Sequence, residues 1–395
     1  MNIALVHNEY QQRGGEDVVF DQELHLLERS GHDVMAYRRS NWEVESYWGA
    51  GKLGLACRLT WARDTRREFA HLLLERKPQL VHIHNTFVMI SPSIYSVCRE
   101  AGIPVVQTLH NYRLFCPGGT FFRQGHICEE CPEHGLLRSV LHGCYRNSRT
   151  ATAGVATMLA VHRRLHTWTE DVTCYIALTE FSRSKFVQAG LPADKVFVKA
   201  NFVHPDPYLG KNRDPKDYVL FVGRLSPEKR VSTLIEACTL LRNRIPLVII
   251  GGGPERQELA QYIARSGLTN VHLQGPLPRE QVLAAINKAR LLLFPSEWYE
   301  NFPVTIAEAF ACGVPVICSR LGAMQEIVED GRTGLHFVPG NAADLAEKLD
   351  WAWEHAARLR VMGKEARQEY ETKYTAAKNY PILMDIYQRA MRMAA

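Results

Sequence analysis

The stretch Tyr218-Val219-Leu220-Phe221-Val222-Gly223-Arg224-Leu225-Ser226-Pro227-Glu228-Lys229 passes from an apolar run into a charged turn. The apolar part, Tyr218 to Phe221, is typical of a strand buried in a parallel sheet. The turn after it starts at a glycine, carries Arg224 and Lys229, and is predicted to open a helix at Ser226. A buried strand followed by a glycine turn and a helix predicts one βα unit of an α/β fold.

Strand-like runs of the same kind alternate with helical stretches along the whole chain, which predicts parallel sheets covered by helices. Two sets of runs predict two doubly wound domains, residues 1–203 and 204–375, with a turn-rich link at Asn201–Asp217 and a C-terminal helix at 376–395. The runs in the first half are Ile3–His7, Asp33–Tyr37, Leu80–His84, Val105–His110 and Cys174–Leu178. Those in the second half are Tyr218–Val222, Leu247–Ile250, Val271–Gln274, Leu291–Phe294, Val316–Cys318 and Leu335–Val338.

A second informative stretch is Glu300-Asn301-Phe302-Pro303-Val304-Thr305-Ile306-Ala307-Glu308. Pro303 suits a first helical turn, and Cys312-Gly313 is a stop signal. The start of such a helix directs backbone N–H groups at an anion, most often a phosphate. Glu300 is then placed to accept bonds from polyol hydroxyls, and Glu308 from the two hydroxyls of a ribose. Arg224 and Lys229 add a guanidinium fork and an ammonium that together suit a diphosphate.

At these residues the chain resembles the family-four retaining glycosyltransferases, which have the GT-B fold. The resemblance covers the whole chain and is densest from Tyr218 to Val338. The residues that carry it are Glu300 and Glu308, Gly223-Arg224-Leu225, Pro227-Glu228-Lys229, Gly251-Gly252-Gly253-Pro254, Gly313-Val314-Pro315-Val316-Ile317, Gly322-Ala323, Glu326-Ile327-Val328, Gly331 and Gly334.

The resemblance implies a role for each matching residue. Arg224 and Lys229 would hold the donor diphosphate, Glu300 the donor sugar, and Glu308 the ribose. Gly14 and Gly15 match a glycine loop that faces the donor phosphates, and His110 matches a histidine near the donor sugar; the alternative is a histidine that only caps a strand end. The remaining predicted donor contacts are Gly223, Gly252, Leu277, Asn301, Phe302, Pro303 and Val304. The last helix would cross back onto the N-terminal domain.

The predicted function is therefore retaining transfer of a sugar from a UDP- or GDP-sugar to a hydroxyl of a glycan or lipid-linked acceptor, in surface polysaccharide biosynthesis. No metal is expected to serve catalysis, because Arg224, Lys229 and a helix start neutralise the leaving diphosphate. Two enzyme alternatives share the fold, a nucleotide-sugar epimerase and a sugar phosphorylase. A third alternative is a non-catalytic subunit that binds nucleotide-sugars.

Composition bounds the class of protein without deciding the function. The chain has 395 residues, 46% hydrophobic and 23% charged, with a net charge of +5, ordinary values for a globular protein. Neither a secretory signal nor an apolar run long enough to span a membrane is visible, so we expect a cytoplasmic protein with reduced cysteines. No nucleic-acid module is recognisable, so nucleic acid is not an expected partner.

Two basic stretches are open to two interpretations. Residues 135–169 contain five arginines and no acid before Glu170, and residues 52–67 contain five basic side chains against Asp64 alone. One interpretation is a solvated helix face. The other is peripheral contact with the inner membrane face, through anionic lipid or a lipid diphosphate acceptor.

Four cysteines lie close together after His110, at Cys116, Cys128, Cys131 and Cys144, within a predicted insertion of about residues 112–150. Four thiolates can hold Zn²⁺ tetrahedrally and order a loop. Only one C-x2-C pair is present, so unligated thiols or a redox pair at Cys128 and Cys131 are the alternatives. Such a zinc would be structural, because four protein ligands leave no open position.

Overall fold

The computed structural model describes residues 1–11, 13–46, 51–208, 210 and 217–394, and the side chains of residues 46, 51–53 and 56 are also outside the description. The chain forms two compact units. Unit 1 comprises Met1–Phe121, Cys128–Ala200 and Asn379–Ala395, and unit 2 comprises Phe122–Ile127 and Asn201–Lys378. Each unit is built around one parallel sheet of six strands.

The sheet of unit 1 has the strand order β2-β1-β3-β4-β7-β8, with all pairs parallel. Three of its inner strands, β3, β4 and β7, are buried along their whole length, as strands covered by helices on both faces must be. The strands are β1 (Asn2–Glu9), β2 (Asp33–Ser40), β3 (Leu80–Ile83), β4 (Val105–Thr108), β7 (Cys174–Ala177) and β8 (Val196–Val198).

The helices of unit 1 include the last one of the chain, whose residues from Asn379 belong to this unit. On that helix, the Tyr380 hydroxyl lies 2.8 Å from His32 Nε2 and the Tyr387 hydroxyl 2.7 Å from His82 Nδ1. The helices are α1 (Gly15–Arg29), α2 (Gly51–Thr60), α3 (Arg63–Arg76), α4 (Ser93–Glu100), α5 (Glu130–His134), α6 (Leu137–His142), α7 (Arg149–Arg164), α8 (Glu180–Gln188) and α16 (Ala376–Ala394).

The sheet of unit 2 has the order β11-β10-β9-β12-β13-β14, again all parallel. In chain order within the sheet this is 3-2-1-4-5-6, the doubly wound arrangement whose switch point lies between the first and fourth strands. The strands are β9 (Val219–Val222), β10 (Leu247–Ile250), β11 (Val271–Gln274), β12 (Leu291–Phe294), β13 (Val316–Ser319) and β14 (Gly334–Phe337), and a separate two-stranded hairpin pairs β5 (Phe122–Arg123) with β6 (His126–Ile127).

The core of unit 2 packs strand side chains such as Phe221, Ile249 and Leu293 against helix side chains such as Leu234 and Leu345. Apolar area removed from water stabilises this core by about 25 cal/mol per Å². The helices are α9 (Val231–Leu240), α10 (Arg256–Arg265), α11 (Arg279–Lys288), α12 (Val304–Ala311), α13 (Gly322–Ile327), α14 (Ala342–Glu354) and α15 (Ala356–Lys373).

The strand predictions are confirmed at all eleven positions, and no end differs by more than three residues. Two elements were not predicted, β8 and the β5–β6 hairpin, because strands of two or three residues leave no period to detect. A helix does open at the predicted Ser226, which is the N-cap residue of a short 3-10 helix, Pro227–Lys229; the α-helix, α9, begins only after Arg230 turns the chain with φ 48°. Residues 209 and 211–216 of the predicted link lie outside the described residues.

Among the described residues, no helix combines the length and the apolar character that crossing a membrane requires.

Candidate functional site

The polar residues of unit 2 gather at the carboxyl ends of β9 and β12, which are hydrogen-bonded neighbours at the switch point of the sheet. Strand β9 leads into Gly223–Lys229, and β12 leads into the loop that contains Glu297 and Glu300. Ligands of doubly wound sheets bind at this edge, outside the carboxyl ends of two neighbouring strands from which the chain continues in opposite directions along the sheet. Two segments far apart in sequence therefore form one site.

A close backbone contact fixes the turn after β9. The Leu225 N–H donates to Gly252 O at 2.8 Å, and Gly251 and Gly253 have φ values of +152° and +154°. A Cβ atom at Gly253 would lie 2.2 Å from Leu225 O, and one at Gly251 would lie 1.9 Å from Gly223 O. These glycines are needed because only a residue without a side chain lets the two loops approach this closely.

Arg224 is held at the mouth of this site by its own turn. Its Nη2 donates to Glu228 Oε1 at 2.6 Å and its Nε to Ser226 Oγ at 3.2 Å, while the side chain remains 60% exposed. Burial raises the pKa of Glu228, but the Ser226 hydroxyl and the Arg224 charge outweigh it, so the net pKa is lowered and the carboxylate is ionised. Because only two of the five guanidinium N–H groups make these bonds, Arg224 keeps donors for a ligand.

Lys229 and Glu300 form a buried ion pair that joins the two segments. Lys229 Nζ lies 2.5 Å from Glu300 Oε1, which also accepts from Ser296 Oγ at 2.8 Å. The ammonium lies over the rings of Phe294 and Trp298, at 5.2 and 5.3 Å from their centroids. The aromatic faces stabilise a cation that is largely removed from water.

Helix α12 begins directly after this loop. Pro303 is its N-cap residue rather than its first helical residue, and no side chain of the described residues caps the N–H groups of the first turn. The predicted stop is confirmed, with Cys312 as the C-cap and Gly313 at φ 67°. The uncapped start carries partial positive charge and N–H donors toward the loop.

Glu308 lies further along α12, buried at 8% exposure. Burial raises its pKa, and the Arg279 charge, with Nη2 at 3.2 Å from Glu308 Oε1, only partly opposes this. Arg279 was not predicted as a site residue. It is the first residue of α11, directly after Leu277-Pro278, and an arginine at a helix start carries no signal of its partner in sequence.

Two more site residues were missed. Arg230 donates from Nε to Glu297 Oε2 at 2.8 Å and from Nη2 to the carbonyl of Gly125, on the β5–β6 hairpin, at 2.9 Å. Glu297 has a raised pKa because burial outweighs the Arg230 charge. In the sequence, a role for Arg230 and Glu297 is indicated only by their closeness to Lys229 and Glu300.

The other predicted donor contacts of unit 2 lie around the same loops. Asn301 and Phe302 are buried, and the Phe302 ring meets the Tyr374 ring edge to face. Leu277 is half-buried just before α11. Gly223 opens the turn after β9, and Val304 is the first residue of α12.

Unit 1 carries the remaining predicted donor residues at the carboxyl ends of its own strands. Gly14 is the N-cap of α1 and donates its N–H to Asp17 Oδ2 at 2.7 Å, and Gly15 is the first helical residue. His110, after β4, lies with its Nε2 2.9 Å from Nδ1 of His84, which follows β3. Burial and the neighbouring His84 hold the pKa of His110 well below its ordinary value, so the ring is neutral.

The four cysteines lie in one region of unit 1. Cys116 Sγ and Cys144 Cβ both lie within 3.8 Å of the position that a Cβ on Gly118 would take. Burial, together with the nearby thiols of Cys116, Cys144 and Cys128, raises the pKa of Cys131 to about 12. Among the described residues, the set of three candidate metal ligands within 4.8 Å of one another is Glu23, His82 and His84, so the thiols are gathered without being at ligand spacing.

Both halves of the chain match families of known proteins. Residues 14–201 match the glycosyl transferase 4-like domain, and residues 210–369 match the glycosyl transferases group 1. The chain is 32% identical over 161 residues to the D-rhamnosyltransferase WbpZ of Pseudomonas aeruginosa, covering 40% of this chain and 42% of that protein. It is 28% identical over 242 residues to the O-antigen chain mannosyltransferase B of Escherichia coli, covering 55% of this chain and 63% of that protein.

The matched stretches thus span about half the length of these curated relatives. Among solved structures, Anabaena HepE in complex with UDP is similar over 98% of this chain and 100% of its own, with a TM-score of 0.66 and 20% identity. At that identity the likeness concerns the fold, two doubly wound α/β domains of the GT-B type. The predicted family and fold are confirmed, and the chain belongs to the glycosyl transferases of group 1 with a glycosyl transferase 4-like first half.

Proposed function

We propose that this chain is a retaining glycosyltransferase that moves a sugar from a UDP- or GDP-sugar to a hydroxyl of a glycan or lipid-linked acceptor. The observation that carries the proposal is the Lys229–Glu300 pair beside Arg224 at the switch point of unit 2. One ion pair there joins a cation suited to phosphate with a carboxylate suited to sugar hydroxyls. UDP bound to HepE, and sugar transfer named for WbpZ, are consistent with this class of donor.

In the proposed reaction, the bond between the anomeric carbon and the diphosphate oxygen breaks, and the leaving diphosphate gains negative charge. Arg224, Lys229 and the uncapped start of α12 stabilise that charge where it develops. Lys229 and Ser296 both donate to Oε1 of Glu300, and Oε2 is the oxygen that would accept from a hydroxyl of the donor sugar. Glu308 holds the ribose, and the Arg279 charge partly offsets the rise that burial causes in the Glu308 pKa.

The acceptor hydroxyl attacks from the face that the diphosphate leaves, and its proton passes to the departing phosphate oxygen. Retention of the anomeric configuration follows from attack on that face. This route needs no carboxylate as a covalent nucleophile, and the carboxylates of the site, Glu228, Glu297 and Glu300, are each bonded to a basic side chain. Metal is not required, because the cations of the chain neutralise the diphosphate.

The direct test is turnover of UDP- and GDP-sugars by Arg224→Ala. We expect a loss of transfer and of donor hydrolysis of about 100-fold, since a charged bond to the leaving group contributes roughly 2–3 kcal/mol. Arg242→Ala is the matched control: Arg242 is another exposed arginine of unit 2 that pairs with a carboxylate, Asp350, at 3.3 Å. Equal turnover in both variants and the natural chain would exclude the phosphate role.

The alternatives give different products in the same assay. An epimerase would convert the donor sugar without an acceptor, and a phosphorylase would require inorganic phosphate. A non-catalytic subunit would bind the nucleotide, detectable as a raised melting temperature, with neither transfer nor hydrolysis.

We further propose peripheral membrane contact on the acceptor side, in line with the O-antigen substrate named for the E. coli relative. Short helix α6 exposes Leu137 and Leu141 at 70% and 54%, with exposed Arg138 between them. Apolar and basic side chains on one helix suit the surface of an anionic bilayer. The second basic stretch supports this less, because Arg58 and Arg66 pair with Asp64 and Glu100.

We also propose a structural Zn²⁺ at Cys116, Cys128, Cys131 and Cys144. Elemental analysis of the purified protein should find about one zinc per chain, and Cys131→Ser should lose it together with thermal stability. Cys57→Ser is the control, since Cys57 is an exposed cysteine outside the cluster. A zinc-free natural protein that is as stable as one incubated with zinc would contradict the proposal.

A further inference from the structure

A continuous chain of buried polar side chains runs through unit 1 from a lysine to His110. Lys199 Nζ lies 2.9 Å from Glu23 Oε2, Glu23 Oε1 lies 3.3 Å from His84 Nε2, and His84 Nδ1 lies 2.9 Å from His110 Nε2. Lys199, Glu23 and His84 are 1%, 0% and 3% exposed. Charges this deeply buried persist only when they are paired.

The ionisation of the first two members is settled by their contacts. Lys199 also donates to Asn379 Oδ1 at 3.1 Å, so its ammonium has two acceptors. Burial alone raises the pKa of Glu23, but the Lys199 charge and the adjacent His82 outweigh it and hold that pKa well below its usual range. Glu23 is therefore a carboxylate, which accepts hydrogen bonds and donates none.

The protons on the two histidines follow from that carboxylate. Burial and the neighbouring His82 lower the pKa of His84 to about 3, so its ring is neutral and carries one N–H. Glu23 Oε1 lies 3.3 Å from His84 Nε2 and 2.9 Å from His82 Nδ1, and among the described residues no other polar atom bonds Glu23 Oε1 or His84 Nε2 in good alignment. Because an oxygen of Glu23 can only accept, the proton of His84 lies on Nε2, and its Nδ1 accepts from His110 Nε2–H.

The other polar groups around Glu23, His84 and His110 do not alter this assignment of protons to the two histidines. His82 Nδ1 lies 2.9 Å from Glu23 Oε1 and 2.7 Å from the Tyr387 hydroxyl, and His82 Nε2 lies 2.8 Å from Thr108 Oγ1. A carboxylate oxygen can accept from two donors, so a proton on His82 Nδ1 does not remove the one on His84 Nε2. His7 pairs with Asp17 through Nε2 at 2.8 Å. The Lys199 ammonium beside Glu23 also disfavours a metal ion at Glu23, His82 and His84, since it places a positive charge where the ion would bind.

We propose that Glu23 is a positioning residue which, through His84, fixes His110 in the Nε2–H tautomer, so that His110 Nδ1 offers a hydrogen-bond acceptor to a hydroxyl of the ligand. The half-buried His110 ring lines a cavity of unit 1 together with Asn85, Asn111 and Arg113. The presence of a ligand hydroxyl at this place rests on the proposed function, in which a donor sugar lies near His110. The tautomer of His110 does not depend on the proposed function.

Glu23→Gln changes one side-chain atom and reverses the two hydrogen bonds that lead from residue 23 through His84 to His110. An ammonium only donates, so Lys199 retains the amide oxygen, and the amide NH₂ turns toward His84 Nε2. His84 must then accept at Nε2 and carry its proton on Nδ1, which donates to His110 Nε2. The proton of His110 moves to Nδ1, and the acceptor presented to the ligand becomes a donor.

The test is ¹⁵N NMR of protein labelled at its histidines, with the His110 signals assigned by their loss in His110→Gln. In the natural chain we expect Nδ1 of His110 to give the shift of an unprotonated ring nitrogen and Nε2 that of a protonated one. The opposite assignment overturns the proposal. This measurement is made on the natural protein without substrate. It therefore tests the tautomer of His110 even if Glu23→Gln fails to fold.

In folded Glu23→Gln, the two His110 shifts should exchange, and kcat/KM for the nucleotide-sugar should fall roughly 10-fold or more, since an acceptor is replaced by a donor. Asp350→Asn is the matched control, because Asp350 is a buried carboxylate of unit 2 that accepts hydrogen bonds from Arg242 and Asn243. It should leave the shifts and the turnover unchanged. Unchanged His110 shifts in Glu23→Gln overturn the positioning role, whereas exchanged shifts in a protein without transferase activity overturn only the proposed function.

Discussion

Replacing Lys229 with methionine should weaken binding of UDP or GDP by about 10- to 100-fold, because a charge-assisted bond in a partly buried site contributes roughly 1.5–3 kcal/mol. Methionine keeps the unbranched chain that lies against Phe294 and Trp298 and removes only the ammonium. Isothermal titration calorimetry with the nucleotide alone measures the effect without a sugar or an acceptor.

Glu300→Gln should have the opposite effect on the nucleotide. Lys229 Nζ contacts Glu300 Oε1 at 2.5 Å, so the carboxylate competes with a phosphate for the ammonium. With a neutral amide, UDP or GDP should bind as tightly as before or more tightly, while sugar transfer falls because a charged acceptor for the sugar hydroxyls is lost. Lys288→Met, at an exposed lysine in the last turn of α11, controls for the loss of one positive charge in Lys229→Met.

The pair of variants is more informative than either one. Weaker nucleotide binding in both would mean that Glu300 supports Lys229 rather than competing with phosphate. Undiminished nucleotide binding in Lys229→Met would mean that the phosphates bind elsewhere. The proposed phosphate-binding role of Arg224 would then also be excluded.

The fold was predictable because its inner strands are apolar and largely buried. A four-residue apolar run such as Leu247–Ile250 or Leu291–Phe294 has one plausible place in an α/β protein, the inside of a parallel sheet. The turn residues Gly223 and Arg224 were also recognisable, because they follow such a run directly. Strand β8, with three residues, fell below the length at which pattern is visible.

The ion-pair and hydrogen-bond partners of the site residues were not predictable, because the order of strands in the sheet determines them. Strands β9 and β12 are neighbours only through the doubly wound order, and that adjacency brings Lys229 to Glu300 across 71 residues. Arg279 and Arg230 are ordinary surface residues in sequence, and their carboxylate partners appear only in three dimensions. The Glu23–His84–His110 chain was invisible for the same reason, since its members follow or face three different strands.

Gly253→Ala should destabilise the protein by about 3 kcal/mol or more, as overpacking against rigid backbone does. The new Cβ would lie 2.2 Å from Leu225 O and 2.7 Å from Leu225 N, at a φ of +154° that alanine rarely adopts. No side chain can move to relieve the contact, so the turn from Gly223 to Leu225 has to shift.

Gly252→Ala, one residue earlier, is the control that isolates this cause. Its Cβ would meet only Pro276 Cδ at 3.6 Å and Pro276 Cγ at 3.8 Å, ordinary contact distances, with no positive φ. Urea unfolding should therefore show a large loss of stability for Gly253→Ala and a loss of less than about 1 kcal/mol for Gly252→Ala. Equal losses would mean that chain entropy, not the approach of the two loops, explains the glycines. A loss specific to Gly253 would show that the turn carrying Arg224 is held in place by backbone, which is why its cation can remain exposed and still be aimed.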